Sequence, residues 1–446
     1  MGCILMEKVL FRKPDFDKRL GVNRPAQVPK NWYELYEDGK YLKFDHVMSN
    51  LLLKSNQNDL KNRIQYWEYD FFQNHVEYKN KEDDEKYFYY IPLHSIDDWF
   101  LDMEHIGFSG IEEDVKKDVR NKKCKIILLC TDEGNFGEEP DIYTPANWSL
   151  DLIQKWCDLE KFPHSSIIFI CMNMNIQTLA TKKYLNYHIV PTSWISETHI
   201  WVNKDEPSTF LELKENSKLF LTYNFAYHHH RMCLLESLYK NNLLKDSYHS
   251  FIFNNDQEGN TKNQYKKWNK NLLPDGFDKI LDKIPIEIED DYKKEDYGNY
   301  DFKGQVIIKN HYENSFLSLV SETLYKNNTI YFSEKTFKPI SQHHPFILVS
   351  SKNSLSKLKQ MGYQTFDKWW DESYDECDNH IDRIDMICKI LLDLKSKSYD
   401  ELKKIKLEMR DVLIHNYNNF IQRYNQTPSP IINAVEEEYK KFVKNG

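Results

Sequence analysis

The sequence predicts an α/β protein of two Rossmann-like, doubly wound domains facing a cleft, with an N-terminal extension and C-terminal helices. Three observations carry that expectation. Two successive stretches alternate short apolar runs with amphipathic ones, as buried parallel strands and their crossover helices do. A mixed, polar segment at 196–215 separates the two stretches. And 446 residues exceed one ordinary domain but suit two of roughly 150–200 each.

The elements follow in order. Residues 1–85 are rich in Tyr, Asn and Lys and read as an extension packed on the main body, with one amphipathic stretch at 44–69. The first domain, 86–215, shows strands at 87–92, 124–130, 166–171 and 188–191. Helices fall at 111–120, 148–159 and 176–185, the second with Asn147 or Ser149 available as its cap. The second domain, 216–395, begins with a strand at 218–223 and a helix at 231–239. Further strands are expected at 250–253, 305–308, 316–320, 329–332 and 346–349, and helices at 353–361 and 381–394. Gly362 stands where a helix C-terminus wants a left-handed residue. The tail, 396–446, holds amphipathic helices at 399–417 and 435–443.

Composition narrows the function. Hydrophobic residues make up 40 % and aromatic residues 14 %, ample for two cores, and the charged 29 % is mixed in sign along the chain. The net charge of -9, without a Lys/Arg block that outruns its neighbouring acids, argues against nucleic acid as a partner. No stretch approaches the ~18–20 apolar residues of a membrane span, and the N-terminus has no long apolar run for secretion. Met1-Gly2-Cys3 hints at acylation, but Met6 stands where that motif wants Ser or Thr. None of the eight cysteines forms a C-x-x-C pair, so zinc and thioredoxin chemistry lack their spacing. A cytoplasmic location, host cytoplasm for a viral protein, is the expectation.

The most informative stretch is Ser333-Glu334-Lys335-Thr336-Phe337-Lys338-Pro339, between the apolar runs at 316–320 and 346–349. Ser333 is suited to cap a helix that Pro339 keeps short or kinks. The free N–H groups of such a terminus, with Lys335 and Lys338 alongside, make an anion site. A carboxylate among them, Glu334 or Glu322, can hold a ribose diol or a sugar hydroxyl. That combination suits a nucleotide sugar.

Here the sequence resembles known proteins. The Ser333–Val349 run is similar to the donor-site motif of the α1,3-fucosyltransferases, which have the GT-B fold. Glu334 and Lys335 match that family's Glu-Lys, Phe337 its aromatic, Lys338 its basic residue, and Glu322 the Glu of its preceding strand. The match covers roughly 40 residues and departs from the family at Pro339 and in a longer Glu322-to-Glu334 spacing. The same core, followed by Gly-Tyr-Gln-Thr-Phe-Asp at 362–367 and Trp-Asp-Glu-Ser-Tyr-Asp at 370–375, resembles a group of proteins from marine phages and large DNA viruses. The resemblance implies a GT-B-like glycosyltransferase taking a nucleotide-sugar donor and a glycan or protein acceptor.

Other residues fit that chemistry. Arg231 begins a helix after a strand and polar loop, where it could neutralise a departing diphosphate. His228-His229-His230 beside it reads as loop polarity, since adjacent histidines point in different directions. Glu133, with Asp132 as the alternate, follows a buried strand and is the candidate base for an inverting transfer. The acidic cluster Asp371, Glu372 and Asp375 beside Trp369 and Trp370 reads as a structural corner rather than a sugar platform. Glu289-Asp290-Asp291 lies in an aperiodic stretch and not at a strand end, so catalysis without a metal or cofactor is expected. Two other readings stand beside the transferase: a catalytically inactive module that binds glycans or joins a virus particle, and a DNA-base glucosyltransferase, against which the acidic charge argues.

Overall fold

The structure is a computed structural model. It describes strands at 10–12, 36–37, 40–41 and 77–78, and residues 86–93, 111, 113–130, 148–176, 188–191, 213–253, 265, 273–288, 307–325, 329–426 and 429–444. The chain divides into two compact units, 1–195 with 427–446, and 196–426. The sequence puts the boundary at 215/216 and treats 396–446 as one C-terminal segment; in the structure the last helix belongs to the first unit and the helices before it to the second.

The strands of the first unit are β1 (Leu10–Arg12), the two-stranded hairpin β2 (Tyr36–Glu37) and β3 (Lys40–Tyr41), β4 (Glu77–Tyr78), β5 (Tyr87–Leu93), β6 (Cys124–Cys130), β7 (Ile167–Cys171) and β8 (His188–Pro191). All but the hairpin form a six-stranded parallel sheet in the order β4-β1-β5-β6-β7-β8. Every residue of β7 is buried, which is why it reads as an unbroken apolar run instead of an alternation. Helices α1 (Glu113–Arg120) and α2 (Trp148–Glu160) contribute Val115, Val119, Ile153 and Trp156 to a core with Tyr89, Ile126, Leu128 and Phe169. Lys116, buried on α1, is neutralised by Glu160 at 2.6 Å and Glu113 at 3.1 Å.

The second unit begins with β9 (Lys218–Asn224), α3 (His229–Lys240), β10 (Ser247–Phe251), and the short helices α4 (Phe277–Asp282) and α5 (Lys309–Glu313). It continues with β11 (Ser315–Ser321), α6 (Glu334–Ser341), β12 (Phe346–Val349), α7 (Ser354–Gln360), α8 (His380–Ser396), α9 (Tyr399–Glu408) and α10 (Arg410–Gln426). The final helix, α11 (Ser429–Lys444), belongs to the first unit. The four strands are parallel in the order β10-β9-β11-β12. The chain leaves β9 toward one edge and returns past it to the other. Right-handed crossovers then place the connections on opposite faces, and the order reverses between β9 and β11. Both units are thus α/β, each with a parallel sheet.

Several expected elements differ. Residues 329–332 and 307–308 form no strand. The place beside β11 goes to β12, and Thr329 to Phe332 bury their side chains without joining the ladder. The strand expected at 250–253 is β10, a few residues earlier, and the helix expected at 399–417 breaks at Met409 into α9 and α10. Ser149 lies inside α2, so it is not the cap. Asp132, Glu133, Asn147, the helix beyond residue 176, the linker before residue 213 and the 289–301 stretch lie outside the described residues.

Candidate functional site

Ser333 ends the buried, extended approach to α6 and caps it, its Oγ accepting from the Lys335 N–H at 3.2 Å. The helix stops at Ser341, two residues after Pro339, which has no N–H for the ladder. What anchors this terminus is Glu322, the residue after β11. Its carboxylate accepts from the Ser333 N–H at 3.1 Å, the Ser333 hydroxyl at 2.6 Å and the Thr336 hydroxyl. Its own N–H donates to Val349 O at 3.0 Å, tying it to β12. Glu322 is fully buried, and burial pushes its carboxyl upward while Lys335 and the two hydroxyls pull it back.

The expected ribose contact of Glu322 therefore takes a different form. The carboxylate is consumed in fixing the start of α6 against the end of β11. Ser333, also fully buried, is likewise spent on Glu322 and on the cap.

Arg231 is placed in a similar way. It lies in the first turn of α3, 1 % exposed. Its guanidinium donates to Ala226 O at 2.9 Å and Ser321 O at 3.2 Å, so it staples the loop after β9 to the end of β11. That junction is the switch point of the sheet. The neighbouring His230 donates from Nε2 to Glu322 O at 2.9 Å and stacks on Tyr325, with ring centroids 4.9 Å apart. Burial, with Arg231 nearby, holds His230 well below its usual range, and the same causes with Lys335 bring His228 down to about 3. Burial thus disfavours the protonated form of both rings, and His228, at the N-cap position of α3, makes no capping hydrogen bond. Among the described residues no group of His, Cys, Asp and Glu is arranged to hold a metal ion.

Glu334, Lys335 and Lys338 differ from these. All of them line a cavity of about 180 Å³ in the second unit. Its other walls are Leu221, Tyr223 and Phe225 on and after β9, Ser250 and Ile252 at β10, Glu287 and Ile288, residues 318–321 of β11, Ile308, His311 and Tyr312 at α5, and Pro339 of α6. Lys335 Nζ lies 2.9 Å from Glu334 Oε1 and 3.3 Å from Ser333 Oγ, which keeps its charge at the helix start. Lys338, one turn further along α6, is 6 % exposed. Burial brings its ammonium down to about 8, with Lys335 acting in the same direction and Glu334 against it. The Ser321 hydroxyl, on the cavity wall and almost fully buried, has no hydrogen-bond partner among the described residues.

A second polar feature of the wall carries no sequence signal. Tyr223 OH and His311 Nδ1 are 2.6 Å apart, and the His311 ring stacks on Tyr248 with centroids 5.0 Å apart. The two partners are separated by 88 residues, so neither periodicity nor motif spacing links them. The corner at 365–376 is structural. Glu372 accepts from Thr365 Oγ1 and Phe366 N, and Asp375 from the N–H groups of Leu355 and Ser356.

The chain matches no protein-family model and no curated protein. Among the described residues no helix is long and apolar enough to cross a membrane.

Proposed function

We propose that this protein is a glycosyltransferase that moves a sugar from a nucleotide-sugar donor to an acceptor hydroxyl on a glycan or protein, with inversion and without a metal ion. The observation that carries the reading is the start of α6. A capped helix N-terminus, with Lys335 and Lys338 one turn apart, opens on a cavity beside the switch point of a parallel sheet. Anionic ligands of open α/β sheets bind at such places because the positive end of the helix dipole and the strand ends converge there.

In the reaction the acceptor oxygen attacks the anomeric carbon as the bond to the donor phosphate breaks, and the electron pair leaves with the nucleotide. Lys335 and Lys338 would stabilise that growing negative charge. Glu133 is the base assigned to the acceptor proton. Glu322, Ser333 and Arg231 act as positioning residues, holding α6 and the ends of β9 and β11 in place.

Thermal-shift titration with UDP-, GDP-, ADP- and CMP-sugars tests this. One of these donors should raise the melting temperature, and Lys335→Ala should remove the shift while leaving the unliganded melt in place. Donor hydrolysis should persist in EDTA. A wild-type protein indifferent to every donor would sink the reading.

A further inference from the structure

The cavity beside α6 is divided in character. Its α6 wall carries Lys335, Lys338 and Glu334, whereas Leu221, Ile252, Val320 and Ile308 make the rest largely apolar. We propose that this apolar part seats the nucleobase of the donor, and that the Tyr223–His311 pair and Ser250 read the edge of the base. The inference rests on the nucleotide-sugar reading and deepens it.

Size and chemistry lead to the base. About 180 Å³ is smaller than the ~300–1,000 Å³ of a pocket that swallows a whole ligand, so the cavity does not enclose an entire nucleotide sugar, and its apolar part is of a size for one ring system. Phosphate is polar on every side, and the hydroxyl-rich rims of ribose and transferred sugar would lose their hydration against Leu221 and Val320. A nucleobase has the broadest, flattest apolar faces among these parts, with a polar edge. With its phosphates on Lys335 and Lys338, a nucleotide would have its base reach toward Tyr223 and Ile252.

The polar groups on this wall fit reading an edge. Tyr223 OH and His311 Nδ1 share a 2.6 Å hydrogen bond, and Tyr248 stacks on the His311 ring, so the pair is held rigidly. His311 is 1 % exposed. A few fixed polar groups in an apolar wall are what sets the orientation and identity of a bound ring.

Calorimetric titration of the full chain with inorganic pyrophosphate, UDP, GDP, ADP and CDP separates the two halves of the cavity. The wild type should bind one nucleoside diphosphate more tightly than pyrophosphate. Ile252→Trp, which fills the apolar part, should weaken that nucleotide by about tenfold or more, the scale of losing one stacked base, and leave pyrophosphate binding unchanged. Tyr223→Phe should narrow the preference among the four bases, again without touching pyrophosphate. Unchanged pyrophosphate binding also reports that each variant is folded. If Ile252→Trp binds the nucleotide as tightly as the wild type, the base lies elsewhere and this inference fails while the transferase reading stands. If the wild type binds neither pyrophosphate nor any nucleotide, both fail together.

Discussion

At the scale of single residues, the energetics of this unit turn on charges taken out of water. Glu322 is tolerated in the interior because three neutral donors on two residues face its carboxylate. Glu322→Ala would leave those donors unsatisfied at the start of α6. A loss of about 2–3 kcal/mol in urea unfolding is expected, together with loss of nucleotide binding, since the helix start would no longer be held. Lys338 is the opposite case. Its folded pKa of about 8 lies below the ordinary 10.5, because burial disfavours the charged form. The stability it contributes is present above pH 10.5 and is lost as pH falls through about 8, where the folded protein must carry the buried charge. Anion binding has the reverse dependence, because it needs that charge. Pyrophosphate affinity should therefore weaken as pH rises through about 8, and Lys338→Met should bind weakly with that step removed; a step that survives in the variant would assign it to another group.

At the scale of elements, local caps decide where helices begin and stop. α7 starts after Asn353, whose side chain makes no capping bond and whose φ is +65°. The cap comes from Asp375, twenty residues on from Leu355, whose carboxylate takes the Leu355 and Ser356 N–H groups. Asp375→Ala should cost about 1–2 kcal/mol by thermal or urea melting. The mutation should leave ligand affinity unchanged, because the corner is structural. The far end of α7 shows the converse, a stop written locally. Gly362 has φ +89°, and a Cβ there would come 3.2 Å from Asn419 Oδ1. The α6 start combines both kinds of information, with its Ser333 cap local and its Glu322 anchor eleven residues away.

At the scale of the molecule, the chain returns to the first unit after building the second. Tyr439 and Phe442 of α11 meet Phe88 of β5 at centroid distances of 5.2 and 5.9 Å, and Glu438 pairs with Lys125 of β6 at 2.6 Å. Removing residues 427–446 would expose Phe88 and unpair Lys125. Hydrogen exchange on that truncation should show protection lost in β5 and β6 and kept in β9 to β12; equal loss in both units would overturn the division. The sequence shows that 435–443 is an amphipathic helix but not which unit it covers, because an apolar stripe carries no address.

What the sequence determined by itself is the set of local structures whose causes lie within a few residues. Unbroken apolar runs mark β7 and β12, and predominantly apolar ones β6 and β11, as strands covered on both faces favour. Ser333 and Gly362 mark one helix start and one helix stop through backbone chemistry alone. The residues 329–332 were indistinguishable from a strand, since burial demands the same residue types whether or not a sheet partner is present. Only the tertiary structure decided which polar groups line a cavity and which lie behind its wall. Glu322, Ser333 and Arg231 fix the start of α6 and the strand ends; Lys335 and Lys338, one turn apart on the same helix, line the cavity. The physical reason is that desolvation and hydrogen-bond partners depend on what the crossing of strands brings near, and Tyr223 with His311 shows how far along the chain that reach extends.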